Sequence, residues 1–265
     1  MLRVLTSPRM LAFHALVLLV VPSFVWLGFW QYERSVAKSV VVELQEANLA
    51  SEPVPLDELG AVGADVPRED RWRSVTATGT YDPEHELLVR NRDGLDGVGL
   101  YVVTPLVTGD GSAVLVNRGW VPQPPTSTEQ PEVPPAPDGE VTVTGRLQFS
   151  ETPENTGIRV RDGLPEGQIM VIDVAAIAEE APYPLYGGFV ELVEQAPPSD
   201  PAPAPVPVPE VDTGMNFSYA VQWWVFTVIA IVGWVFLVRR EIQDDRDGGA
   251  PPAASDPAPR SEAAV

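Results

Sequence analysis

At 265 residues the chain has room for one sizeable domain, and with no cysteine it can form neither disulfides nor thiolate metal sites. A formal net charge of −20 excludes the basic face that phosphate binding requires, so nucleic acid is not an expected partner. His14 and His85 are the whole histidine supply, and Lys38 is the only lysine beside abundant Arg, Ala, Val and Pro, a usage that suggests a high-GC bacterial genome.

Residues 1–10 carry Arg3 and Arg9 and precede an apolar run, LAFHALVLLVVPSFVWLGFW, over 11–30. A helix needs roughly 20 apolar residues to cross a bilayer. The run reads as a spanning helix or a signal peptide. It exceeds the roughly 7–15 residues of a signal core and ends on aromatic rather than small side chains, whereas Ser35-Val36-Ala37 offers a small-x-small cleavage site. Pro22 is compatible with a membrane helix whose neighbours recover the freed carbonyl. Residues 31–67 are a stalk and connector. To about Glu46 the helix continues with Trp30, Arg34 and Lys38 on one face, and 50–67 is rich in proline and acid.

Over 68–196 the texture changes. Val/Thr/Leu-rich runs at 71–81, 86–92, 99–107, 113–117, 140–149, 168–174 and 186–194 are bounded by turn signals such as Asp93-Gly94 and Asp110-Gly111. They predict a mainly antiparallel β domain, sandwich or barrel-like, with one short helix near 175–181. Pro122–Pro137 reads as a surface loop, since proline cannot serve in a central strand. Residues 197–214, with PAPAPVPVP, read as an extended polyproline tether reaching on the order of 40 Å at about 3.1 Å per residue.

The second apolar run, 215–238, carries no charge from Phe217 to Val238, and Gln222 is its only strongly polar side chain. Tyr219, Trp223 and Trp224 gather at one end and Arg239 and Arg240 close the other, as at the two edges of a bilayer. Residues 239–265 turn acidic and then Ala/Pro-rich, and after Gln243 they are expected to be disordered. Two spans place both termini on one side. The basic residues after the second span put that side in the cytoplasm and the central segment outside. The expected fold class is therefore a membrane protein of the bacterial cell membrane, two transmembrane helices flanking a mainly antiparallel β (α+β) extracytoplasmic domain.

No Walker loop, HExxH or GxSxG occurs, and two separated histidines supply no ligand cluster, so neither an enzyme nor a metal site is expected. The informative residues sit at one membrane surface: Trp30, Gln31 and Arg34 at the end of the first span, and Tyr219, Gln222, Trp223 and Phe226 on one face of the second. Gln31 and Gln222 are expected at similar depth, where amides can bond between helices. This pattern is an aromatic belt with helix pairing, or a shallow site where a flat aromatic ligand or a partner's helix meets aromatic walls. His14 is an ionisable residue near the inner end of the first span, and such residues invite a functional reading. His85, in a turn, is expected to be exposed. In the central domain Arg90, Arg92 and Arg118 are either paired with local Asp on solvated strands or available to carboxylates of a ligand or partner. Gly119 and Trp120 read as a structural motif, a turn glycine followed by a core or rim anchor.

LGFWQYERSVAK (27–38), GLYVVTPL (99–106), VLVNRGWVP (114–122) and SYAVQWWVF (218–226) together resemble the Surfeit locus protein 1 family, in family order across nearly the whole chain. The resemblance implies an assembly factor, a chaperone of the respiratory chain rather than an enzyme, for haem-copper cytochrome c oxidase. It would act on the oxidase's catalytic subunit at or near insertion of haem a, with other oxidase subunits or haem-delivery proteins as further partners. Haem-binding members carry a histidine at the outer start of the second helix, where this chain reads Asn216-Phe217-Ser218. Axial ligation by that residue is not available here. Haem a is then a candidate cofactor held by stacking and by arginines, among Trp30, Gln31, Arg34, Arg118, Tyr219, Gln222 and Trp223, or the protein is a scaffold only. Two other classes stay open: a membrane-tethered extracytoplasmic ligand- or protein-binding module unrelated to the oxidase, and a tethered hydrolase using His85.

Overall fold

The computed structural model describes residues 6–94, 97–126, 129–161, 163–208 and 214–247. In chain order its elements are α1 (Pro8–Leu49), β1 (Val54–Pro55), α2 (Leu56–Leu59), β2 (Ser74–Tyr81), β3 (Leu87–Gly94), β4 (Gly97–Thr108), β5 (Ala113–Pro122), β6 (Glu140–Phe149), α3 (Pro153–Thr156), β7 (Gln168–Ile169), α4 (Val174–Glu180), β8 (Leu185–Ala196) and α5 (Gly214–Asp247). They divide into two compact units, Met1–Ser39 with Asp212–Val265, and Val40–Val211.

In the first unit, α1 and α5 are both long and apolar enough to cross a membrane. Each turns one stripe inward. On α1 the sheltered positions include Met10, His14, Val17, Val21, Phe24, Gly28, Gln31 and Ser35; on α5 they include Asn216, Ala220, Trp223, Thr227, Ala230 and Trp234. The alternating steps of four and three are the 3.5-residue repeat that lets two helices pack along a continuous left-handed seam. Phe24 stacks at 5.2 Å from Trp223, and Gly28 lies so close to the Trp224 indole that a methyl group there would collide with it. The helix α5 outlasts its apolar run and reaches Asp247, with Arg240 and Asp244 one turn apart at 3.9 Å. The remaining residues of the expected disordered tail lie outside the described ones.

In the second unit the strands form an eight-stranded sheet in the order β1-β2-β6-β8-β5-β4-β3-β7. Because β2 also pairs with β4, through Gly79↔Thr108 to Tyr81↔Leu106, the strands β2, β6, β8, β5 and β4 close into a ring. At that closure Gly79 meets the Val107 carbonyl where any side chain would clash. The ring resolves the sandwich-or-barrel alternative as a barrel. The expectation of a mainly antiparallel sheet needs correction: β5–β8, β3–β7 and β1–β2 are parallel, so the α+β domain has a mixed sheet. Period-two alternation marks a strand and is silent on its partner's direction. The long stretch from β5 to β8, which contains β6 and α4, supplies the crossover that a parallel pair needs.

Even-numbered Leu106, Val114 and Val116 join Val75, Val141, Val143, Leu147 and Val190 in the barrel core. The opposite face of β5, Ala113 and Leu115, packs with Val103, Phe189 and Val174 of α4. The predicted loop after β5 is pinned: Val133 and Ala136 rest on core clusters. The predicted tether is also not free over its described part. Ala204 makes an antiparallel bridge to Trp120, with N···O distances of 2.7 and 2.8 Å, and Val206 is buried. Proline composition favours extended backbone but does not decide whether that backbone lies in solvent or against a sheet.

Candidate functional site

Two regions concentrate polar chemistry: the seam between α1 and α5, and the covered faces of the barrel. In the seam, the Asn216 amide donates to Gln31 Oε1 at 2.8 Å. The interhelical amide bond expected of Gln31 and Gln222 therefore forms with a different partner. The helices run antiparallel, so Gln222 lies about 9 Å along α5 from the Asn216 level, at 1.5 Å per residue, and not at the depth of Gln31. Of the four residues assigned to one face of α5, Trp223 and Phe226 stay together, with ring centroids 6.0 Å apart and both against Phe24, at 5.2 and 6.1 Å. Tyr219 and Gln222 are exposed. On α1, Trp30 is exposed and carries the Arg34 guanidinium over its ring at 5.6 Å.

At the far end of the seam the Trp234 indole N–H donates to His14 Nδ1 at 2.9 Å. An indole N–H is a donor only, so Nδ1 accepts and the neutral ring carries its proton on Nε2. That tautomer leaves no nitrogen lone pair for a metal. His14 is also 17 residues from Gln31, about 26 Å along the helix. Asn216 offers an amide already engaged with Gln31. Neither residue fits the part of an axial haem ligand.

In the barrel, each singled-out arginine has its partners inside the domain. Arg118, 3% exposed, donates to Glu86 Oε2 at 3.1 Å and to the carbonyls of Pro134 and Pro135 at 3.0 and 2.7 Å. Arg92 grips the Glu151 carboxylate with both Nη atoms and reaches the Met170 carbonyl at 3.2 Å, while Arg90 bonds Gln168. The bulged Asn91 between them, at φ +56°, sets their directions. These partners are distant in sequence, not the local Asp expected, and they leave Arg118 a clamp on the 122–137 loop. Trp120, 5% exposed, donates from Nε1 to the Arg92 carbonyl at 3.0 Å, and Gly119, at φ +139°, passes against the Ala204 carbonyl.

A fourth network was not foreseeable from the sequence. Arg146 and Gln148 both donate to Glu191 Oε2 at 3.2 Å, Arg71 donates to Gln148 at 2.9 Å, and Arg146 reaches the Val206 carbonyl at 2.8 Å. Burial pushes the Glu191 carboxyl above its ordinary range, against the pull of Arg146, the Gln148 bond and Arg71.

One cleft, of about 770 Å³, opens beside α4 and β7 over an apolar floor that includes Leu87, Leu115, Ile169 and Ile177. At its rim His85 Nδ1 lies 2.8 Å from Asp82, which also accepts from the Tyr183 hydroxyl at 3.1 Å. Burial raises the Asp82 carboxyl, but bonds from His85, Tyr183 and the Glu84 backbone outweigh it and hold the group below its usual value. Burial, with Asp82 beside it, holds the Tyr183 phenol well above its ordinary range. Among the described residues the cleft lining carries no Ser, Thr or Cys.

The profile of the SURF1 family matches residues 18–228, from within α1 through the whole barrel and into α5. The chain belongs to the SURF1 family. An uncharacterized SURF1-like protein of Mycobacterium tuberculosis is 32% identical over 249 residues, covering 88% of this chain and 87% of the relative. Human Surfeit locus protein 1 is 33% identical over 164 residues, 52% of each chain. The cytochrome oxidase assembly protein SHY1 of Saccharomyces cerevisiae is 31% identical over 97 residues, 36% of this chain and 24% of that one. The SURF1 match takes in Gln31, Asn216 and Trp223 and the barrel clamps of Arg92, Arg118 and Arg146, whereas the His14–Trp234 tie falls outside it.

Proposed function

We propose that this chain is a bacterial membrane-anchored assembly factor for haem-copper cytochrome c oxidase, acting on the catalytic subunit at or near the insertion of haem a. The observation that carries the reading is the SURF1 match running from one apolar helix to the other, together with a yeast relative named for oxidase assembly. In this reading α1 and α5 span the cell membrane, both termini are cytoplasmic and the barrel lies outside, in line with Arg239 and Arg240 after the second span. The donor set argues for a scaffold rather than a haem carrier, since Asn216 and His14 are both held in hydrogen bonds that suit neither to axial ligation. Contacts to the oxidase subunit then fall to side chains left open on the helices: Trp30, Arg34, Tyr219 and Gln222. Arg118, enclosed by Glu86 and two carbonyls, supports the barrel instead.

Deleting the gene is expected to lower the a-type haem absorbance of membranes while oxidase subunits are still made. Unchanged oxidase spectra and activity in the deletion strain would refute the assignment. The open cleft favours a second reading, an extracytoplasmic binding module unrelated to the oxidase. Filling the cleft with Ile177→Trp, at a partly exposed position of its lining, while oxidase assembly persists would separate the cleft from the oxidase role.

A further inference from the structure

Two arginines of the barrel unit stand apart from the clamps. Arg71, Arg90, Arg92, Arg118 and Arg146 all donate to partners inside the domain. Arg159 and Arg161, exposed on the segment before β7, meet no partner among the described residues. With Asn91, Ile158, Val160 and Met170 they line a hollow of about 460 Å³. Asn91 sits at the β3 bulge, exposed, and its amide is also without a partner among the described residues. The hollow thus gathers two guanidinium forks and an amide, and its described lining holds no carboxylate; Asp162 lies outside the described residues. On a chain of net charge −20 such a grouping is a departure from the background.

The hollow borders the 770 Å³ cleft and shares Val160, Arg161 and Met170 with it. That cleft has the volume of a small-molecule site, roughly 300–1,000 Å³, and the apolar floor such sites carry. Two of its carboxylates are already engaged, Glu86 with Arg118 and Thr104, and Asp173 with the Ala176 N–H at the start of α4. Glu84, Glu166 and Glu180 meet no partner among the described residues. A negative group is therefore disfavoured in the cleft and favoured beside the arginines, which sets the direction in which a ligand lies. We infer that cleft and hollow together bind a small molecule with an apolar body and a carboxylate. The body rests on Leu87, Ile169 and Ile177, and the carboxylate lies between Arg159, Arg161 and the Asn91 amide. Guanidinium forks match the two oxygens of a carboxylate, and the amide N–H supplies a further donor. The inference rests on the binding-site reading of the cleft, to which it gives a ligand class, and is independent of the oxidase assignment.

Calorimetric titration of the full-length chain in phosphatidylcholine nanodiscs with 4-phenylbutyrate, corrected for empty discs, tests this. Saturable binding at one site per chain is expected, with the uncharged 4-phenylbutyramide weaker by roughly tenfold or more. Changing Arg159 and Arg161 together to Gln should weaken the acid by a similar factor and leave the amide as it was. Both side chains are exposed and unbonded within the described structure, so the exchange is expected to leave the far-ultraviolet circular dichroism unchanged. Ile177→Trp should weaken acid and amide alike. Arg68→Gln, which removes an exposed arginine outside both linings, should change neither. Absence of saturable binding, an amide bound as tightly as the acid, or an affinity indifferent to the double arginine exchange would overturn the inference. An equal loss with Arg68→Gln would overturn it in favour of diffuse charge. Tighter binding of 4-phenylbutylamine than of the acid would overturn it in favour of Glu84, Glu166 and Glu180 as the ligand's partners. Failure of the acid to bind leaves the gene-deletion test of the oxidase assignment untouched, and the converse holds.

Discussion

In the barrel, Arg92, Arg118 and Arg146 each meet a carboxylate from elsewhere in the domain and at least one backbone carbonyl of a covering segment. In the helical unit two ties between α1 and α5 are neutral, Gln31 with Asn216 and His14 with Trp234, and Gln222 faces outward. The two regions thus use polar groups differently. Buried charge in the barrel fixes how loops lie on a closed sheet, a role that leaves little capacity for a ligand. The helices hold together by shape along a heptad stripe, and their residual polar groups are the ones open to a partner. A residue type that suggests binding, such as arginine on an acidic background, is informative only once its hydrogen bonds have been traced.

The sharpest break between the regions should come at Arg118. Its guanidinium is enclosed, and Arg118→Leu leaves the Glu86 carboxylate without its charge partner and two carbonyls without donors. Because Glu86 keeps partial solvent contact, the expected cost lies near the low end for a broken buried pair, about 3 kcal/mol, read from chemical unfolding of the full chain in detergent. Loss of oxidase assembly with undiminished barrel stability would reverse the roles assigned to the two regions. Gly119→Ala comes next. Its positive φ and the adjoining Ala204 carbonyl resist a side chain. The expected loss is about 2 kcal/mol, with the pairing of α1 and α5 unaffected.

The Glu191 network should also give the barrel a pH dependence. The folded Glu191 carboxyl stands above the usual 4.5 because burial outweighs the attraction of Arg146, Gln148 and Arg71. Between the unfolded and folded values the folded state holds a proton that the unfolded state has released, so stability falls as pH rises through that window. Glu191→Gln should flatten this part of the stability–pH curve relative to the parent chain, and an identical slope in both would contradict the assignment. The smallest effect is expected in the seam. Asn216→Ala and Gln31→Ala should each weaken the helix pair by roughly 0.6–2 kcal/mol, with a double-mutant cycle showing that the second change adds little to the first. Full additivity would mean that the amides act apart.

Much of the barrel is legible in the sequence because strands announce themselves locally. The runs at 140–149 and 113–117 fall on β6 and on the first half of β5, and Asp110-Gly111 marks the hairpin between β4 and β5, with Gly111 at φ +84°. Ring closure and the parallel β5–β8 pair are not legible, since pairing direction depends on contacts that no local period encodes. The arginines show the same limit. Arg118 and Arg92 stand out by composition, yet their partners Glu86 and Glu151 lie 32 and 59 residues away among many other acids. In the helices, Gln31 and Gln222 are visible as polar residues in apolar runs. The 3.5-residue repeat along the packed face of α5 decides which one finds a partner inside the chain, and Asn216, read as a missing histidine, is that partner.

On the proposed function, this SURF1 family member handles the oxidase directly. Affinity purification of the tagged full chain from mildly solubilised membranes tests it most directly. The expected result is recovery of the oxidase catalytic subunit with the parent chain and with Glu191→Gln, and its marked loss when the open helix residues Trp30 and Tyr219 are both changed to Ala. Purification free of any oxidase subunit, from membranes in which the oxidase is present, would contradict it.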